Sequence, residues 1–245
     1  MKIIVTEKAI AGNRIAGILS QGKYSNGTLQ ENQIFEFEKK GEKFTVVPLR
    51  GHIVDVDFPK SYSYWLGTDL RKLVNAPIEY IEKEKKIIRS LREAGKTGSE
   101  VIIATDADRE GESIGLEALR FIQESNPKIK IHRAYFSALT EKDVTDAFEK
   151  LSKLDYNFAD SADSRREIDL AWGAVLTRFL SLVSGQLGKE FLSAGRVQTP
   201  VLALIVNREK ERLAFKIEKY WIIQALFEKD KIEFVGEHRE GKFWD

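Results

Sequence analysis

The chain has 245 residues, 42% hydrophobic and 31% charged, with 39 Lys and Arg against 38 Asp and Glu for a formal net charge of +1. Such a composition belongs to a globular protein, long enough for one large or two ordinary domains, and its near-neutral charge excludes binding of polyanions by bulk charge, so any nucleic-acid site has to be local. Cysteine is absent, which removes disulfides, thiolate nucleophiles and cysteine-ligated zinc, and no run approaches the roughly 18 apolar residues of a membrane span; an intracellular protein with no membrane partner is expected.

In chain order, Lys2–Thr6 reads as a buried strand, and Ala9–Leu19 carries Ile10, Ile15, Ile18 and Leu19 at helical spacing. Gln33–Glu38 and Lys43–Leu49 alternate about Lys40-Gly41-Glu42 as a hairpin, running into Arg50-Gly51-His52. Pro59–Asp69 has the character of an ordered loop, and Ile78–Ala94 has the helical period, with Ile81, Ile87, Ile88 and Leu91 on one side and Gly95 at its end. Glu100–Thr105 is a continuous apolar run suited to a central parallel strand.

After an acidic loop, Ser113–Ser125 reads as a helix stopped by Asn126-Pro127, Ile129–Phe136 as a strand, and Thr140 with Asp143 as the start of a further helix. From Asn157 the pattern changes to long helices, Phe158–Val183 and Val197–Phe215, followed by strands at Tyr220–Glu228 and Ile232–Glu237. Trp65 and Trp172 read as core residues. The layout predicts an α/β domain over 1–151, part of a mainly helical domain over 152–215 and the opening of a β-rich domain over 216–245.

The chemistry concentrates in Asp106-Ala-Asp108-Arg-Glu110-Gly-Glu112, directly after the apolar strand, at the carboxyl end of a parallel sheet where α/β proteins keep their sites. Four carboxylates in seven residues repel one another; a magnesium ion relieves that repulsion while taking only one or two carboxylates and keeping several waters. The same residues also suit a solvated loop at the N-terminus of the next helix, where the dipole favours negative charge. Glu7 ends the first strand as Asp106 ends a later one, so a parallel sheet can bring them to one edge, with Lys8 beside them.

A glutamate after the first strand and an Asp-x-Asp after a later one form the TOPRIM pattern, and Thr105-Asp-Ala-Asp-Arg-Glu-Gly-Glu112 resembles the form it takes in type IA DNA topoisomerases. Further elements follow in the family's order: Arg50-Gly-His-Ile53 with Asp55, Arg133 to Thr140, Arg165-Arg-Glu-Ile-Asp169, and Leu192-Ser-Ala-Gly-Arg-Val-Gln-Thr-Pro200. The Glu7-Lys8 adjacency is closer to the topoisomerase III branch. The resemblance implies a TOPRIM fold, a mainly parallel Rossmann-like sheet, and a Mg2+ cofactor held by Glu7, Asp106, Asp108 and Glu110. It implies catalytic roles for Glu7, Lys8 and Arg133, and contacts to single-stranded or underwound DNA from His52, Arg165, Arg166, Asp169, Ser193, Ala194, Gly195, Arg196, Val197, Gln198 and Thr199. For a prokaryotic protein it also implies a nucleoid-associated place in the cytoplasm, with helicases or single-strand-binding proteins as partners of a full enzyme.

Read as residues alone, these basic motifs keep a second meaning. Small residues beside Arg196 at a helix start can hold a phosphate, yet Ser193–Pro200 also satisfies an ordinary capped helix with proline in its first turn. Arg166 and Asp169, three apart, share a helix face as a surface ion pair would. The family cuts DNA with a tyrosine in a Tyr-x-Arg-Thr context; none of Tyr24, Tyr62, Tyr64, Tyr80, Tyr135, Tyr156 and Tyr220 stands in one. These residues by themselves are therefore expected to bind but not to cleave. A stand-alone TOPRIM nuclease or primase-like enzyme and a non-catalytic accessory subunit are the alternatives.

Overall fold

The computed structural model describes residues 1–244. Its centre is a six-stranded sheet of β1 (Lys2–Thr6), β2 (Tyr24–Leu29), β3 (Asn32–Lys39), β4 (Glu42–Pro48), β7 (Glu100–Ile103) and β8 (Lys130–Arg133), in the order β2-β3-β4-β1-β7-β8. Strand β1 runs parallel to β4 and β7, and β8 parallel to β7, whereas β2, β3 and β4 are joined antiparallel. Register aligns Thr6 with Pro48, Val5 with Ile103 and Ile103 with Arg133. The chain therefore leaves β1, β4, β7 and β8 at one edge of the sheet.

Alternation along the strands sends side chains into two cores. Ile3, Val5, Val101 and Ile103 pack against α3 (Lys85–Thr97) and α4 (Arg109–Ser125), while Ile4, Val46, Ile102 and Ala104 pack against α1 (Ala9–Ser20) and α5 (Glu141–Glu149). Burial on both faces explains why β1 and β7 read as unbroken apolar runs. Thr140 caps α5 as expected, its side chain accepting from the Asp143 N–H at 3.1 Å. Helix α6 (Tyr156–Ser184) lies along α4 and buries Ala159 in the first core.

Three local expectations change. The helix predicted over Ile78–Ala94 is split: Glu79–Glu82 forms β6, paired antiparallel with β5 (Val54–Asp57), and the helix starts only at Lys85. The N–H groups of Lys83 and Glu84 donate to the Ile53 carbonyl and close the small sheet, so tertiary pairing overrides the local period. Edge strand β2 was unforeseen, its Tyr-Ser-Asn-Gly-Thr-Leu sequence being polar because one side faces solvent. Trp172 is 54% exposed, against a shallow apolar groove beside Val74 and α2 (Leu70–Val74), and Trp65 meets the Phe191 ring edge-on at 5.9 Å and the Arg178 guanidinium at 5.5 Å rather than entering either core.

The described residues form two compact units, Met1–Gly195 and Arg196–Asp245. That division differs from boundaries near 151 and 215, because α6 packs on α4 and stays with the sheet. The second unit comprises α7 (Gln198–Ala214) and the hairpin of β9 (Trp221–Lys229) and β10 (Ile232–Phe243), which turns through Asp230 and Lys231, both at positive φ.

Candidate metal centre and nucleic-acid interface

The sheet edge assembles the acidic site. Backbone ladders run past the strand ends: the Leu49 N–H donates to the Thr6 carbonyl, the Gly51 N–H to the Glu7 carbonyl and the Ala104 N–H to the Val5 carbonyl. Gly51 takes φ +73°, a left-handed turn that returns Arg50-Gly51-His52 beside Glu7. Glu7 and Asp106, 99 positions apart in sequence, thereby come within hydrogen-bonding reach of each other.

Partial desolvation and the Glu7 carboxylate hold the Asp106 carboxyl above the ordinary aspartate range, against the pull of Lys8. Lys8 Nζ lies 2.8 Å from Glu7 Oε1, and that hydrogen bond raises the lysine above its usual value. Asp108 stands next to this pair but spends Oδ1 on the Gly111 N–H at 2.7 Å, as the N-cap of α4. Gly111 is required there: a Cβ would lie 2.1 Å from the Asp106 carbonyl oxygen.

Arg133 underpins the loop. Its guanidinium is wholly buried, with Nε 3.0 Å from Glu112 Oε1, Nη1 donating to the carbonyls of Ile103, Thr105 and Ala134, and Nη2 to that of Asp106 at 2.8 Å. The expectation of a catalytic arginine is corrected accordingly. Arg133 has no face toward a substrate, and it acts by fixing the backbone from which Asp106 projects. Glu112, a candidate helix-start residue, is instead its buried counter-ion.

Glu110 turns away from the carboxylate pair. Its Oε2 lies 3.3 Å from His52 Nε2 and its Oε1 3.4 Å from Arg165 Nη1. The other ring nitrogen of His52 meets Glu117 Oε1 at 2.7 Å. Burial draws the His52 pKa down, but the Glu117 and Glu110 carboxylates outweigh it and leave the ring above its ordinary value.

The arginine pair of α6 divides. Arg166 enters the α/β unit, with Nη1 2.5 Å from Glu117 Oε1 and Nη2 2.7 Å from the Val54 carbonyl, while Arg165 pairs with Asp169 at 3.8 Å. Beside the expected surface pairing of Arg166 with Asp169, the helix thus carries an i,i+4 pair from Arg165 to the same carboxylate. A groove between the sheet edge and α6 is lined by Arg50, His52, Asp55, Lys83, Arg166 and Asp169. Glu117 was missed in the sequence. Its signal was a glutamate inside a helix buried almost all round, where a charge demands a partner.

Leu192–Ala194 runs along α6, where Thr177 Oγ1 accepts the Ala194 N–H at 3.0 Å and Ser181 Oγ the Leu192 N–H at 2.9 Å. Ala194 is buried, so its side chain packs rather than meeting a ligand. Ser193 and Gly195 flank it in the first unit; Arg196, Val197, Gln198 and Thr199 open the second, with Val197 at the N-cap of α7 and no side-chain cap.

The profile of the Toprim domain family matches residues 2–139 and that of the DNA topoisomerase family residues 153–245. The chain belongs to the type IA DNA topoisomerase family. It is 48% identical over 229 residues to DNA topoisomerase 1 of Thermoplasma acidophilum, covering 94% of this chain and 30% of that protein. It is 45% identical over 236 residues to DNA topoisomerase 1 of Archaeoglobus fulgidus, covering 96% and 34%. DNA topoisomerase 3-alpha of Drosophila melanogaster is 34% identical over 91% of this chain and 19% of its own length. Relatives of both names align, so membership is of the type IA family as a whole.

Full-length topoisomerase I of Thermotoga maritima superposes with a TM-score of 0.64 at 27% identity, covering all of this chain and 36% of that one. The chain thus spans about a third of the length of these topoisomerase I relatives. The acidic site falls within the matched Toprim segment, and α6 and the Ser193–Thr199 segment within the matched topoisomerase segment. The domain implies magnesium, and the donors fit it in part. Glu7 and Asp106 supply adjoining carboxylates and Asp108 a second oxygen, whereas Glu110 is engaged elsewhere. Among the described residues no three His, Cys, Asp or Glu groups converge as a metal cage.

Proposed function

We propose that this chain supplies the magnesium-binding acidic centre and part of the single-stranded DNA path of a type IA topoisomerase, a family that breaks one DNA strand, passes another and reseals the break. The closeness of Glu7 to Asp106, flanked by Lys8, carries the reading: two neighbouring carboxylates beside one cation suit both a divalent metal and a phosphate.

Glu7, Asp106 and Asp108 would hold the ion, which when bound neutralises charge on the carboxylates and on a phosphodiester near them. The remaining work falls to the chain. Glu7, beside Asp106 and bonded to Lys8, is placed to act as general acid toward a departing sugar oxygen. Lys8, 63% exposed at its side chain, is placed to stabilise negative charge growing on the phosphate. Arg50, Lys83 and Arg166 line the groove beside α6 with positive charge, and Arg165 lies next to Glu110.

None of the seven tyrosines lies in the family's cutting context, so the 245 residues should bind DNA without breaking it. Labelled single-stranded DNA is incubated with the chain and magnesium and then denatured. No covalent adduct is expected, and an adduct would refute the reading. Binding should weaken steeply between about 50 and 200 mM salt, because phosphate contacts release counterions; a flat dependence would remove the DNA path. Metal-dependent nicking lost in Asp106→Asn would favour a nuclease instead.

A further inference from the structure

We propose that Glu117 is a positioning residue for the nucleic-acid interface: its carboxylate decides which of the two adjacent arginines of α6 is available to a phosphate, and where the His52 ring points. The inference rests on the single-stranded DNA reading above. Helix α4 is buried continuously from Gly111 to Leu119, and the Glu117 side chain within it is 3% exposed. A carboxylate there is tolerable only when both oxygens are satisfied. Oε1 accepts from His52 Nδ1 at 2.7 Å and from Arg166 Nη1 at 2.5 Å, and Oε2 accepts the Ile53 N–H at 3.0 Å.

Three segments distant in sequence are therefore tied to one group: the turn after β4, helix α4 and helix α6. Arg166 cannot leave for a phosphate without stranding a buried anion. Arg165 is different. Its side chain is 38% exposed and its partners, Glu110 at 3.4 Å and Asp169 at 3.8 Å, are themselves partly exposed, so a phosphate can replace them at little cost. The same anchoring leaves His52 with Nδ1 occupied and Nε2 directed toward Glu110 and the groove beside Lys83 and Arg50, the way a carboxylate orients a functional histidine.

The test uses the whole chain with fluorescein-labelled oligothymidylate, following anisotropy against salt, together with 15N signals of the His52 ring recorded without DNA. Arg165→Gln should lower the slope of log affinity on log salt by about 0.7, the loss of one single-strand phosphate contact, and leave thermal unfolding unchanged. Arg166→Gln should lower the melting temperature and keep the slope. Glu117→Gln should shift the His52 ring nitrogens and weaken binding by on the order of tenfold, with the slope retained.

Equal slope losses at Arg165 and Arg166 would overturn the proposal, as would a Glu117→Gln chain with unaltered His52 signals or unaltered affinity. The two-arginine comparison decides it even where Glu117→Gln does not fold. A wild-type chain that ignores oligothymidylate would defeat the DNA reading instead, and the His52 signals still report whether Glu117 orients the ring.

Discussion

Arg133 and Glu112 form an ion pair beneath the acidic loop, with Nε 3.0 Å from Oε1 and side-chain exposures of 0% and 3%. The second glutamate oxygen, Oε2, has no hydrogen-bond partner, so nearly all of the compensation for burying this carboxylate comes from the arginine. The arginine in turn satisfies four backbone carbonyls around Asp106.

Arg133→Ala should consequently destabilise the chain by ~3–5 kcal/mol, the cost of leaving one member of a buried pair uncompensated. Chemical denaturation followed by circular dichroism checks this. Arg133→Lys should fall between the two, since one ammonium keeps the charge but cannot reach four carbonyls and a carboxylate from one plane. A loss below about 1 kcal/mol in the alanine variant would show that the loop holds its shape unaided.

Asp106→Asn should stabilise the metal-free chain at neutral pH. The folded-state pKa of Asp106 is raised by partial desolvation and by Glu7, so its contribution to stability is fully present below the unfolded value of roughly 3.9 and is lost as pH rises through the folded value. At pH 7 the ionised carboxylate is therefore a cost that the amide removes. Magnesium should raise the melting temperature of the wild-type chain through mass action and have little effect on the variant, as differential scanning fluorimetry with and without the chloride salt would show.

Stability should also follow His52. Its folded pKa is raised because Glu117 and Glu110 outweigh burial, so the protonated ring contributes fully below the unfolded value of about 6.5 and that contribution fades as pH rises through the higher folded value. Denaturation midpoints collected from about pH 6 to 8.5 should decline in the wild-type chain, and the decline should be smaller in His52→Gln.

Gly111→Ala should disturb the site from within. The added methyl would stand 2.1 Å from the Asp106 carbonyl oxygen, which backbone atoms cannot accommodate without moving the loop; overpacking of this kind costs ~1–3 kcal/mol. The variant should lose magnesium-dependent stabilisation as well. Retention of that stabilisation would mean that the metal does not depend on where Asp106 sits.

Much of this was legible in one dimension because local chemistry is repeated along the chain. Apolar runs at β1 and β7 announced a sheet covered on both faces, Thr140 and Asp143 marked the start of α5, and the acidic run after β7 placed a charged site at the sheet edge. Sequence alone thus determined the α/β class, the position of the acidic centre and its family, since each depends on residues close together or on short motifs in a set order. Tertiary structure decided the partners. Only the fold could withdraw Arg133 beneath the loop, turn Glu110 toward His52 and send Arg166 to Glu117 while leaving Arg165 outside. A charged side chain looks the same in sequence whether it faces water or a buried counter-ion, and the cost of burying it unpaired settles its role once the helices and strands around it are packed.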